Sequence, residues 1–198
     1  VRKEIQQQID QGVTYVQLDA AQYAWYIDED VRERMRAGGD DPDQLFDLAV
    51  RGDSATVEGL ARPGVTLALH VCRGNSRSRW FAEGGYDRIA ETLFGATPFN
   101  TFLLEYDDER SGGFEPLRFM PRDKTVVLGL VTTKKPDLED PGELRRRVDD
   151  AAKYVPLENL ALSPQCGFAS HSAGNLLTID DERRKLALVV ETARQIWG

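Results

Sequence analysis

Two cysteines, Cys72 and Cys166, and one of the chain's two histidines, His70, stand where short apolar runs give way to polar sequence. The carboxylates Asp19 and Glu105 occupy two further positions of the same kind. His70 and Cys72 are separated by one residue, and in extended backbone residues i and i+2 point to the same side, so both side chains can reach one ion. Two thiolates, an imidazole and a carboxylate compose a tetrahedral zinc set. Soft sulfur with imidazole suits zinc better than magnesium or calcium. His-x-Cys alone is a weak signal; Glu105 and Cys166 at two other strand ends give it weight. A structural alternative stands beside it. A buried cysteine is most often a small core residue, and a histidine at a strand end is more often hydrogen-bonded than metal-bound. Spacing alone leaves both readings open.

The elements that must position these residues read as a repeating strand-then-helix rhythm. Helical spacing of Ile5 and Ile9 marks Arg2 to Gln11, closed by Gly12. Strands are predicted at Thr14–Leu18, Val65–Leu69, Thr101–Leu104, Thr125–Leu130 and Leu160–Ser163. Helices are predicted within Ile27–Leu60, broken near Gly38–Pro42, and at Tyr86–Phe94, Glu143–Tyr154 and Asp180–Trp197. The last is expected to turn Leu186, Val189, Val190 and Ile196 inward. Short apolar strands alternating with longer helices mean a parallel sheet covered by helices. No glycine-rich phosphate turn follows the first strand, which disfavours a dinucleotide fold. The expected class is α/β, a (β/α)8 TIM barrel of which residues 1–198 supply roughly the last five βα units as one domain, with the first strands outside this sequence. In parallel α/β folds function collects at the carboxyl ends of the strands, which is where Asp19, His70, Cys72, Glu105 and Cys166 fall.

Bulk properties narrow the partners. A net charge of −8 argues against nucleic acid or an anionic membrane as partner, since both demand a basic surface. No apolar run approaches the roughly 18–20 residues that span a bilayer, and no start resembling a signal peptide is visible. The expected location is the cytoplasm, where a Cys72–Cys166 disulfide is disfavoured. The charged face of Glu143–Asp150 reads as a solvated helix face, and His171 as an exposed loop residue. Arg73, Arg77 and Arg79 read as loop residues that either meet solvent or grip an acidic substrate.

The chain resembles the cobalamin-independent methionine synthases from Tyr15 to Trp197. Four segments carry the likeness: Val16-Gln17-Leu18-Asp19, His70-Val71-Cys72, Leu103-Leu104-Glu105 and Leu162-Ser163-Pro164-Gln165-Cys166-Gly167. It is more similar to the short single-barrel members, in His70 to Asn75, Leu104 to Asp107 and Ser163 to Phe168. The resemblance implies catalytic zinc on His70, Cys72, Glu105 and Cys166, with Asp19 holding the amino group of homocysteine. It implies methyl transfer to the homocysteine sulfur to give methionine. Glu105, the hardest donor, is expected to loosen when a substrate sulfur enters. Two positions depart from the full synthases, in which a proton-donating histidine follows the fourth strand and a glutamate contacts the folate donor. Here Lys134 and Trp25 stand there. Lys134 is thus the candidate catalytic group on the donor side, and a 5-methyltetrahydrofolate-type donor is the part the departures touch. The alternatives are a zinc-dependent thiol alkyl transferase using another thiol or electrophile, such as coenzyme M and an epoxide, and a non-catalytic piece with structural zinc.

Overall fold

The computed structural model describes residues 1–198. Five strands form one parallel sheet in the order β1-β2-β3-β4-β5: β1 Tyr15–Asp19, β2 Thr66–Val71, β3 Thr101–Glu105, β4 Thr125–Val131 and β5 Leu160–Pro164. Strand order follows chain order with no reversal. A doubly wound sheet reverses at a switch point; sequential parallel order is the connectivity of a barrel arc. The fold is therefore the expected mixed α/β one, a five-stranded part of a TIM-barrel-like structure.

Seven helices connect and cover the strands: α1 Arg2–Asp10, α2 Tyr23–Ile27, α3 Glu29–Ala37, α4 Pro42–Val57, α5 Ala90–Ala96, α6 Pro141–Ala151 and α7 Ile179–Trp197. Their starts are set by side-chain oxygens that accept otherwise unpaired amide protons. Asp28 caps α3, while Asp41 and Asp140 cap α4 and α6 ahead of Pro42 and Pro141. Thr178 and Asp181 form a reciprocal capping box on α7. No helix is long and apolar enough to cross a membrane.

Period-two alternation divides each strand between two faces. Leu67, Leu69, Phe102, Leu104, Val126 and Leu128 point to the helix layer and are fully buried. There they meet Phe46, Val50, Leu93, Phe94, Leu144, Val148 and Val189 in one continuous core. The opposite face carries Gln17, Asp19, His70, Glu105, Gly129 and Ser163, the polar face of the arc. The register places Asp19 opposite His70, and Glu105 opposite Gly129, which in turn faces Ser163.

Two expectations about helices are corrected. α2 is hidden in the aromatic run Tyr23-Ala24-Trp25-Tyr26-Ile27, which lacks the polar positions that reveal a helical period. On α7, Leu186 and Val190 face outward, not inward. The buried stripe runs through Asp181, Lys185, Leu188, Val189 and Thr192. Lys185 takes a core position because its ammonium donates to the Asp137 carbonyl and to the Glu139 carboxylate, a pairing that makes a buried charge tolerable.

Candidate metal centre

The carboxyl edge of the sheet brings four separated residues to one point. His70 arrives near the end of β2 and Cys72 just beyond it, Glu105 closes β3, and Cys166 comes after β5. One donor atom from each lies within 4.8 Å of all the others. The Cys72 and Cys166 sulfurs are 3.9 Å apart. Two thiolates sharing a tetrahedral zinc at ~2.3 Å each would be separated by ~3.8 Å, so the spacing fits the ion. Both cysteines are free thiols, with no disulfide between them.

A local irregularity delivers Cys166 to this point. The β4–β5 register slips between Gly129 and Val131, and the Gln165 amide then donates to the Val131 carbonyl. A bulge of this kind bends the strand and re-aims the side chains beyond it. Gly129 permits the close approach, since a Cβ there would stand 2.8 Å from the Gln165 Cα and 3.0 Å from the Leu104 carbonyl oxygen.

The surroundings hold each donor in place. His70 Nδ1 lies 3.2 Å from an Asp19 carboxylate oxygen. His70 Nε2 lies 3.2 Å from the Gln165 carbonyl and 3.6 Å from Glu105 Oε1. A carboxylate on the outer nitrogen of a ligating histidine fixes its tautomer and orientation. Burial alone would depress the imidazolium, but Asp19 and then Glu105 outweigh it and raise the His70 pKa to about 10. The two thiols are pushed apart. Cys72 is driven far up, first by its hydrogen bond with Cys166 and then by burial. Cys166 is pulled down, first by the Cys72 hydrogen bond, against burial and with help from Ser170. One proton is thus shared between the two sulfurs.

Glu105 is wholly buried. Its Oε1 accepts from the Arg73 amide at 3.1 Å, while Oε2 has no hydrogen-bond partner. The Tyr86 hydroxyl clamps its backbone, accepting from the amide and donating to the carbonyl. Arg73 is not a solvated loop residue: its side chain is fully buried, with the guanidinium 4.5 Å from the Tyr86 ring centroid. His171 is exposed, and its Nε2 meets the Ser76 hydroxyl at 2.9 Å.

A cavity of about 370 Å³ opens beside His70 and Cys166, with Cys72 and Glu105 behind its wall. Gln17, Asp19, His70, Gly129, Gln165, Cys166 and Ser170 contribute to its wall. Lys134 is absent from that wall. Its buried ammonium has no hydrogen-bond partner and lies 4.0 Å from Asp107 Oδ2. Trp25 is also outside it, half exposed and edge-on to Phe81. Sequence reasoning does not anticipate Asp107, Arg110, Tyr86 or Gln165. Asp107 and Gln165 lie within two residues of expected ligands, which is the signal that could raise them; nothing in spacing points to Arg110 or Tyr86.

Residues 1–195 match the family described as "Cobalamin-independent synthase, Catalytic domain". The Bacillus subtilis (strain 168) protein YxjG, itself uncharacterized, is 46% identical over 198 residues, covering 99% of this chain and 52% of YxjG. A methionine synthase of Pyrococcus abyssi (strain GE5 / Orsay) is 25% identical over 169 residues, covering 84% of this chain and 40% of that protein. The crystal structure of a putative vitamin-B12 independent methionine synthase from Listeria monocytogenes superposes with a TM-score of 0.77 at 33% identity, covering 100% of this chain and 52% of that one. The chain therefore spans about half the length of YxjG and of the Listeria protein.

Proposed function

The chain belongs to the cobalamin-independent synthase catalytic-domain family, and from that premise we propose that it carries a zinc site activating a thiol, with methyl transfer to homocysteine sulfur as its reaction and methionine as product. The observation that carries this reading is the meeting of the His70, Cys72, Glu105 and Cys166 donor atoms within 4.8 Å beside a cavity lined by Asp19. Those four residues would hold the zinc. When bound, zinc supplies deprotonation of an incoming thiol, leaving a nucleophilic sulfur at neutral pH. The mixed donor set supports catalysis over a structural role, since structural sites are closed by four strong cysteine or histidine ligands.

The chain's own residues do the rest. Asp19 fixes the His70 ring through Nδ1, and its largely exposed carboxylate also faces the cavity, where it receives the substrate amine. Arg73 and Tyr86 hold Glu105 in place through backbone contacts. We take the five units as the C-terminal part of an eight-stranded barrel, a reading supported by relatives about twice as long. Two free thiols 3.9 Å apart favour a reducing compartment such as the cytoplasm.

A second reading concerns the donor. Lys134 stands off the cavity wall against Asp107, and Trp25 occupies the folate-contacting position as a half-exposed indole. Both observations favour an alkyl donor other than methyltetrahydrofolate.

The test is calorimetry on the zinc-loaded protein in two buffers of different ionisation enthalpy. Homocysteine should bind and release about one proton, because only the thiolate coordinates. Asp19 is more than half exposed, so Asp19→Asn should weaken homocysteine by only about tenfold more than it weakens an amine-free thiol, the shared loss reporting its hold on His70. A folded protein that takes up no zinc would remove the proposal. Equal affinity for both thiols, unchanged in Asp19→Asn, would remove homocysteine and leave the broader thiol transferase.

A further inference from the structure

Behind Glu105, away from His70, lies a row of buried charges that the proposed chemistry does not use. Arg110 Nη2 is 3.5 Å from Glu105 Oε2 and 2.8 Å from Asp107 Oδ1. Lys134 Nζ completes the row at 4.0 Å from Asp107 Oδ2. The order is acid, base, acid, base, and every side chain is nearly or wholly buried. Arg110 cannot drift: Asp107 and Asp108 grip the guanidinium, and it lies over the Trp80 ring at 4.7 Å. Glu105 therefore has two faces. Oε1 points to the ligand cluster, 3.6 Å from His70 Nε2. Oε2 is unbonded and points to the guanidinium.

We infer that Arg110, held by Asp107, is a positioning residue that receives the Glu105 carboxylate when a substrate thiol takes its place among the ligands. The inference rests on the proposed thiol-activating zinc site. A wholly buried carboxylate that gives up a cation becomes an unpaired buried charge, a costly state. A guanidinium already 3.5 Å from Oε2 keeps that charge in an ion pair, and a fork-shaped donor pinned by Asp107 needs no reorganisation to tighten on it. The exchange of partners then becomes reversible, and Asp107 and Lys134 keep the row balanced while it happens.

The test uses the protein loaded with cobalt, whose absorption reports each sulfur that joins the metal. Cobalt affinity and thiol affinity are measured separately in the parent, Arg110→Gln and Arg110→Lys. Glutamine keeps a polar side chain beside Asp107, and lysine keeps the charge. Arg110→Gln should hold cobalt at least as tightly as the parent, because Glu105 has nowhere else to go, yet bind homocysteine about ten- to a hundredfold more weakly. Arg110→Lys should recover part of that loss. Unchanged thiol affinity in Arg110→Gln would overturn the inference, as would a parallel fall in cobalt and thiol binding that lysine fails to rescue, the mark of a merely structural residue. A parent protein that binds no cobalt, or gains no sulfur band with thiol, would sink the zinc-thiol reading itself and the inference with it.

Discussion

His70 has an acceptor on each ring nitrogen, Asp19 on one and the Gln165 carbonyl with Glu105 on the other. In the metal-free site that arrangement keeps the ring protonated until about pH 10, while Cys72 retains its proton well above the usual thiol range. A metal needs both groups deprotonated, so uptake must expel both protons. Protons therefore compete with the metal, and apparent affinity rises with pH wherever both groups are still protonated in the free site. Between pH 7 and 9 the logarithm of the zinc affinity should climb by about two per pH unit, measured by competition against a chelator of known pH dependence. A slope of one would mean that His70 is neutral or outside the ligand set, and a flat profile that neither His70 nor Cys72 gives up a proton.

At the scale of elements, the β4–β5 slip is the most exacting feature. A methyl group on residue 129 would press on backbone from both β3 and the segment after β5, and neither can swing aside as a side chain can. Gly129→Ala should lower stability by about 1–3 kcal/mol and weaken metal binding by displacing Cys166, both read from denaturant melts with and without zinc. A variant with parental stability and metal affinity would show that β5 is free to shift. The strands are legible in the sequence because each is a short apolar run between polar stretches, and the structure keeps all five within a residue or two of expectation. The four candidate ligands are legible because they sit at strand ends, where parallel topology gathers side chains. Arg110 is not, since it rides on a short 3-10 turn, Glu109–Ser111, whose charge pattern does not reveal that the chain folds it back onto Glu105 and Trp80. The outward Leu186 and Val190 escape the sequence for a related reason: a lysine takes the core position once Glu139 is there to pair with it.

On the scale of the whole molecule, β1 and β5 each pair on one side only. Tyr15 is half exposed beside an open row of backbone donors and acceptors, which invites pairing with another strand. The net charge of −8 opposes that association at low ionic strength, and salt screens the repulsion. Expressed alone, these 198 residues should therefore self-associate more at about 0.5 M salt than at about 0.05 M, as light scattering after gel filtration would report. A monomer at both salts would show that the edges are protected. The unbroken strand order has a kinetic consequence as well. Phe102 finds Val126 across the shortest span of chain between paired strands, whereas Val16 must find Leu67 across the longest. Loop closure favours the shorter search. Refolding should thus start at β3–β4 and spread outward, with β1 added late, a sequence that pulse-labelled hydrogen exchange would display as protection of the Tyr106 and Thr125 amides before that of Ala20. The ligand cluster draws on β2, β3 and the turn after β5, so no early intermediate contains it, and a metal ion arriving during synthesis meets the complete set of ligands only near the end of folding.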